Sequence, residues 1–444
     1  MFHFTKIQFR LALALVACLA GTALAAPVAA KRPADRITAL EQRLEQSQLL
    51  IERLAAQVQA LQAQVGKQPT SVAATAPANA APPAASADSE RLATVERDLA
   101  QMTAAAANRS TEGDGVPLHG FADVGAGSHN PVTAGLKGAD VGSVDFYLAP
   151  QLGAKSRALV ELNFEVSEEG SVGVDLERAQ LGYQFGNAGT AWVGRFHTPY
   201  GYYNTAFHHG QQIATSLRRP RFLAFEDQGG IMPAHTVGMW FTGTRRTGEG
   251  RVGYDFYVGN AQSILDGTID MRNAGNSSGQ LSVGGRLYYQ LGGSLDGLQF
   301  GVSALSARIT DEQVAANLTR LNVLGAHVAF DSDHWENMLE YYHFSNESIA
   351  GDGAKHSSNA GFVQLARRAG DWTPYVRYER TQLDQADGYF AGQASGGSYH
   401  REALGLRFDI DLKSSLKLEL ADTHFTDRTQ FSYSDVLTQY AVRF

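Results

Sequence analysis

Residues 403–420 read ALGLRFDIDLKSSLKLEL. In the first half, Leu404, Leu406, Phe408 and Ile410 share one side, while Arg407, Asp409 and Asp411 share the other. A short turn at Asp411-Leu412-Lys413 follows, and then Leu416, Leu418 and Leu420 oppose Lys417 and Glu419. A period of two is the signature of a strand with one apolar and one polar face. The polar face is too rich in charge to be a packed interior, because an unpaired buried charge is expensive. In a soluble sheet this face would meet outer water. In a transmembrane barrel it would line the lumen, and the leucines would meet lipid.

The remainder of the chain decides between these two. Ala158, Val160, Leu162 and Phe164 oppose Arg157, Glu161, Asn163 and Glu165, with Leu159 the one exception. Val252, Tyr254, Phe256 and Val258 oppose Arg251, Asp255 and Tyr257. About sixteen such runs follow one another. They begin near Leu118, Val144, Lys155, Val174, Thr190, Thr236, Arg251, Leu281, Leu298, Leu321, Trp335, Ala360, Trp372, Glu402, Leu416 and Val436. Gly, Asn and Asp separate many of them. A soluble sheet of that size would need a second covering layer, and residues 116–444 contain no helical pattern to supply one. The expected fold is therefore an all-β transmembrane antiparallel barrel of about sixteen strands. The last strand alternates to the final residue, with Tyr440, Val442 and Phe444 on the apolar side. An aromatic end of this kind resembles the signal read by the outer-membrane barrel assembly machinery.

The N-terminal part has a different grammar. Lys6 and Arg10 precede a short apolar run, and Thr22-Ala23-Leu24-Ala25 supplies small residues for cleavage, so residues 1–25 read as a signal peptide. Leu15-Val16-Ala17-Cys18 also fits a lipoprotein processing site, which would leave Cys18 lipid-bearing. Cys18 is the only cysteine, so an exported chain must hold together without disulfides.

From Ile37, apolar residues fall on a and d heptad positions (Ile37, Leu40, Leu44, Ile51, Leu54, Val58, Leu61 and Val65), with Ser47 the polar exception. Residues 33–66 thus predict a coiled coil, hence self-association, with a lone amphipathic helix on the barrel as the alternative. Residues 67–87 are an Ala/Pro-rich linker. Leu92, Val95, Leu99 and Met102 mark a second short heptad helix over 88–107.

The formal net charge of −8 offers no nucleic-acid signature. No phosphate-binding loop, dinucleotide fingerprint or nucleophile elbow is found, so neither an enzyme nor a cofactor is expected. His343 and His424 are candidates for a barrel hydrolase by residue type alone.

The longest segment without alternation is 197–234. A long loop inside a compact fold is usually functional, and this one carries aromatics and the cluster Arg218, Arg219 and Arg221 around Pro220. Its natural place is inside the lumen as a constriction. Guanidinium groups in a narrow aqueous pore concentrate anions and exclude cations, so these three and Arg195 are the candidate constriction and anion-binding residues. The alternative is that they anchor the loop to lumenal carboxylates such as Glu161 or Glu165. His197, His208 and His209, with His235 nearby, are a candidate divalent-metal site. The adjacent pair projects in different directions, however, and hydrogen bonding or pH-sensitive gating are the other roles for these histidines.

Gly194-Arg195-Phe196-His197-Thr198-Pro199-Tyr200-Gly201 resembles the strand-end motif of the phosphate-selective porin family, with Tyr200 in place of the commoner Phe. There a Gly-x-Phe-x-x-Pro-Phe-Gly-type run leads into the third, constricting loop. The plan of signal, heptad helix, linker and barrel is similar to trimeric porins of that superfamily that carry N-terminal coiled coils. The resemblance implies passive diffusion of small solutes, anions such as phosphate or dicarboxylates above all. It also implies a homotrimer in the lipid of a Gram-negative outer membrane, with its coiled coil in the periplasm. A plugged barrel tethering the membrane to a periplasmic partner or cell wall is the rival expectation.

Overall fold

The computed structural model describes residues 119–444, apart from 129–137, 167–171, 208–210, 227, 271–278, 313–317 and 428–430. The expected signal peptide, coiled coil, linker and second heptad helix lie outside the described residues, as do His208 and His209.

Sixteen long antiparallel strands form one closed sheet. In chain order they are β1 (His119–Gly127), β2 (Gly138–Leu148), β3 (Ser156–Val166), β4 (Val172–Gln184), β5 (Thr190–His197), β6 (His235–Thr247), β7 (Gly250–Asn260), β10 (Leu281–Gln290), β11 (Leu298–Asp311), β12 (Leu318–Asp331), β13 (Trp335–Ser348), β14 (Lys355–Arg367), β15 (Trp372–Gln382), β16 (Tyr399–Asp409), β17 (Ser414–Phe425) and β18 (Tyr433–Arg443). Two short strands, β8 (Ser263–Leu265) and β9 (Thr268–Ile269), make a small hairpin between β7 and β10. Each expected run falls in or beside one of the long strands. The small hairpin has no counterpart in the sequence reading, because two or three residues cannot display a period.

Each long strand pairs with its neighbour in the chain, and β18 returns to β1 with Tyr440 opposite Val124. Among the described residues, closure leaves none of the sixteen long strands with an unpaired edge, which a strand in lipid cannot tolerate. The final residue takes part in the seam. Phe444 N donates to Gly120 O at 3.0 Å, and Gly120 N donates to Phe444 O at 3.1 Å.

The opening stretch fixes which face is which. In β17, Leu416 and Leu418 are 46% and 40% exposed, while Lys417 and Glu419 are 3% and 0% exposed. This is the inverse of a soluble sheet. Val141, Leu181, Met239, Phe256, Val302 and Leu339 repeat the exposed apolar face around the barrel. An apolar band of this kind fits hydrocarbon.

The pattern inverts part-way along several strands. In β13, Leu339 and Tyr341 point out and Glu336 and Glu340 point in; one turn of the pleat later, His343 and Ser345 point out while Tyr342 and Phe344 are buried inside. β12 does the same, with Leu324 and Val328 outward in one half, Asn322 outward in the other, and Leu321 and Val323 inward beside it. The outer face thus turns polar toward the long-loop end, where the strands leave hydrocarbon. The inner face there turns apolar for a second reason: the described residues of 198–234 fold into the lumen. Phe196, Tyr200, Phe222, Leu223, Ile231 and Met232 bury against Leu305, Ile309, Leu321, Val323, Phe344 and Phe362 of the wall. This part of the lumen is therefore a hydrophobic core.

Candidate functional site

The inward loop begins where β5 stops. Two glycines of the 194–201 motif make this possible. Gly194 has φ +125° and Gly201 φ +58°, a region costly for other residues. A Cβ on Gly194 would collide with the Ala179 carbonyl, and one on Gly201 with Tyr342 Oη and the Glu340 carboxylate. Thr198 N donates to Ala234 O at 2.8 Å, so the two roots of the loop stay side by side. A single helical turn, α1 (Tyr203–Ala206), follows. Its first amides, Tyr202 N and Tyr203 N, donate to Oε1 of Glu340, the former at 2.8 Å.

From there the loop runs down the wall of β13–β18 and is tied to it repeatedly. Thr215 Oγ1 donates to Glu336 at 2.8 Å. Arg407 donates to Gln212 O at 2.6 Å and Ala214 O at 2.9 Å, and Lys417 Nζ donates to Gln211 O and Ser216 O. Arg377 Nη1 donates to Arg218 O at 2.7 Å, and Tyr399 Oη donates to Glu379 while accepting from Phe222 N. Arg377, Arg407 and Lys417 thus each donate to loop carbonyls that would otherwise be orphaned.

The four candidate arginines separate into two kinds. Arg195 is buried, with Nε donating to Glu177 O at 3.1 Å. Arg219 turns into the loop itself: it donates to Leu223 O, Phe207 O and Asn204 Oδ1 at 2.6–2.7 Å and stacks over Phe225 at 4.4 Å. Arg218 and Arg221, partly buried like Arg219, face the wall of the lumen. Arg218 pairs with Asp435 at 2.5 Å, its side chain 28% exposed. The Arg221 guanidinium lies over Phe425 at 5.3 Å and Tyr399 at 5.9 Å, and its backbone N donates to Glu379 at 2.7 Å. The carboxylates that meet the loop arginines are therefore Asp435 and Glu379. Glu161, expected as such an anchor, instead holds Arg178 of the neighbouring strand. Behind Asp435, Arg401 contacts Glu419 at 3.3 Å and Asp435 at 3.7 Å, and Arg377 contacts Glu379 at 2.8 Å.

The histidines also sort themselves. His197 ends β5 and His235 begins β6; they are register partners, with ring centroids 5.4 Å apart. His343 and His424 lie on the outer face, bonded to Asn359 and Ser432, respectively. Sequence reading missed Asp435, Glu379, Glu340 and Glu177. Each occupies an inward position of a recognisable strand, but only the third dimension brings it to the loop.

No protein-family model matches the chain, and no curated protein sequence does. Solved structures do. An anion-selective porin from Comamonas acidovorans superposes with a TM-score of 0.51 at 14% identity, over 74% of this chain and 98% of its own. OmpF of Salmonella typhi, in complex with daunomycin, superposes with a TM-score of 0.51 at 12% identity, over 74% of this chain and 97% of its own. The fold is that of an outer-membrane porin.

Proposed function

We propose that this chain is an outer-membrane porin of a Gram-negative bacterium. Small hydrophilic solutes pass through it by diffusion, with a preference for small anions such as phosphate or dicarboxylates. The observation that carries this reading is the loop whose described residues in 198–234 are drawn into the lumen and present Arg218 and Arg221 at the β15–β18 wall. Fixed guanidinium charge in a narrow low-dielectric passage raises the local anion concentration. The motif at 194–201 and the fold shared with an anion-selective porin agree with it. The heptads at 33–66 supply a periplasmic coiled coil for a homotrimer.

The test is the reversal potential across a planar bilayer in a salt gradient. Wild type is expected to favour anions, and an Arg218→Ala/Arg221→Ala chain is expected to lose most of that preference. An unselective wild type unchanged by the substitutions would sink the assignment.

The apolar core inside the lumen favours a second reading, a plugged barrel that tethers the membrane to a periplasmic partner. It predicts no steady current from correctly folded protein.

Tyr440, Val442 and Phe444 serve as the assembly signal in this proposal. Phe444→Ala is expected to cut the amount of folded barrel in outer membranes several-fold, while refolding in detergent is little changed, since the backbone seam to Gly120 remains. Equal losses in both settings would make Phe444 a stability residue only.

A further inference from the structure

The roots of the inward loop carry a group of side chains that the diffusion pathway does not use. Glu177 on β4, His197 at the end of β5 and His235 at the start of β6 each place a ligand atom within 4.8 Å of the others. Glu177 and His235 are 2% and 1% exposed, while the His197 side chain keeps 10% of its surface. Glu177 Oε2 lies 2.6 Å from His235 Nε2. On the other side of the ring, His235 Nδ1 lies 3.0 Å from Glu226 Oε2, and His235 N donates to Glu226 Oε1 at 2.9 Å. Glu161 Oε2 lies 3.5 Å from His197 Nε2.

This arrangement has a recognisable chemical logic. With Nδ1–H donated to Glu226, His235 directs the lone pair of Nε2 at a carboxylate oxygen. Two acceptors facing each other at that distance share a cation, either a proton or a metal ion. A second imidazole beside them is the donor that a metal ion uses and a proton does not. Two imidazoles and a carboxylate form a common set for zinc, and a carboxylate behind the far nitrogen is the usual outer support of a metal-bound histidine. Zinc bonds of about 2.0–2.2 Å place tetrahedral ligand atoms roughly 3.3 Å apart, so the Glu177 carboxylate needs to retreat by less than an ångström.

The geometry points to a divalent transition-metal site, suited to Zn²⁺, formed by Glu177, His197 and His235, with Glu226 orienting His235. It differs from the grouping expected from sequence, His197, His208 and His209 with His235 nearby: His197 and the neighbouring His235 are kept, and Glu177 stands in place of the adjacent pair. Its place defines its role. The ion would tie both roots of the loop to β4 and so hold the constriction at its hinge.

The full-length barrel, purified in detergent and stripped with chelator, is titrated with Zn²⁺ by calorimetry and with Co²⁺ by visible absorption. Wild type is expected to bind one ion per chain, with the strong absorption of tetrahedral Co²⁺. Glu177→Gln and His197→Gln should abolish stoichiometric binding, and Glu226→Gln should weaken it roughly 10–100-fold. A His208→Gln/His209→Gln chain should bind like wild type. Folding of every variant is checked by its heat-modifiable mobility; should His235→Gln not assemble, the Glu177 and His197 variants decide. The proposal fails if wild type binds no stoichiometric ion at micromolar concentrations. It fails equally if binding survives both Glu177→Gln and His197→Gln, or depends on His208 and His209 instead.

Discussion

A chain in which residues 203–231 are replaced by a short Gly-Ser bridge is expected to conduct roughly twice the current of wild type or more. The bridge is feasible because Thr198 and Ala234 are already hydrogen-bonded neighbours. The shortened chain loses the apolar filling contributed by Phe222, Leu223 and Ile231, and the wall loses what it was holding. Arg407, Lys417 and Arg377 would then face water in the lumen, where their carbonyl partners had been. If the intact barrel is a pore, its unitary conductance rises from a finite value. If it is plugged, current appears where there was none. An unchanged conductance would mean that the loop does not set the width of the passage. The barrel itself should survive, since its strand pairing runs around the loop and not through it.

Glu340→Ala is expected to release the start of the loop without opening the barrel. The carboxylate is 1% exposed and accepts from Tyr202 N, Tyr203 N and Tyr342 Oη. Truncation leaves all three donors without that acceptor among aromatic rings. Tyr203 N and Tyr342 Oη are the fully buried orphans, and at about 1–3 kcal/mol for each the local cost is on the order of 2–6 kcal/mol. Amide exchange over residues 202–207 should quicken by roughly a hundred- to ten-thousand-fold, with strand amides of β13 and β14 little affected. Glu340→Gln keeps a carbonyl oxygen and should lose much less. Exchange at wild-type rates in the alanine variant would show that the loop is held elsewhere.

The strands were legible because lipid and water impose opposite demands on alternate residues, as Leu416, Lys417, Leu418 and Glu419 show. The loop was legible for the complementary reason: between His197 and His235 the alternation disappears. What holds the loop was not. Arg218 and Asp435 are separated by 217 positions, and nothing local marks them as a pair. The apolar filling of the barrel was also concealed. In β13 the polar side moves from Glu336 and Glu340 to His343 and Ser345, so the strand reads as a loss of pattern when it is a change of surroundings. Among the histidines, adjacency in the chain drew the eye to His208 and His209, while His235 reaches His197 only through strand pairing.

The bond between Arg218 and Asp435 has a consequence for the order of events in folding. Asp435 lies on the strand made last, the one that closes the sheet against β1. The loop, made when barely half of the chain exists, has no complete wall to settle on until that strand arrives. Its docking is thus a late step of high contact order, and such steps are slow. Phe222 and Leu223 meet apolar partners on β11–β14, so what waits for the last strand is the Arg218 end of the loop. Closure of the sheet and seating of the loop become one cooperative event, in which the C-terminal strand acts as both seam and latch.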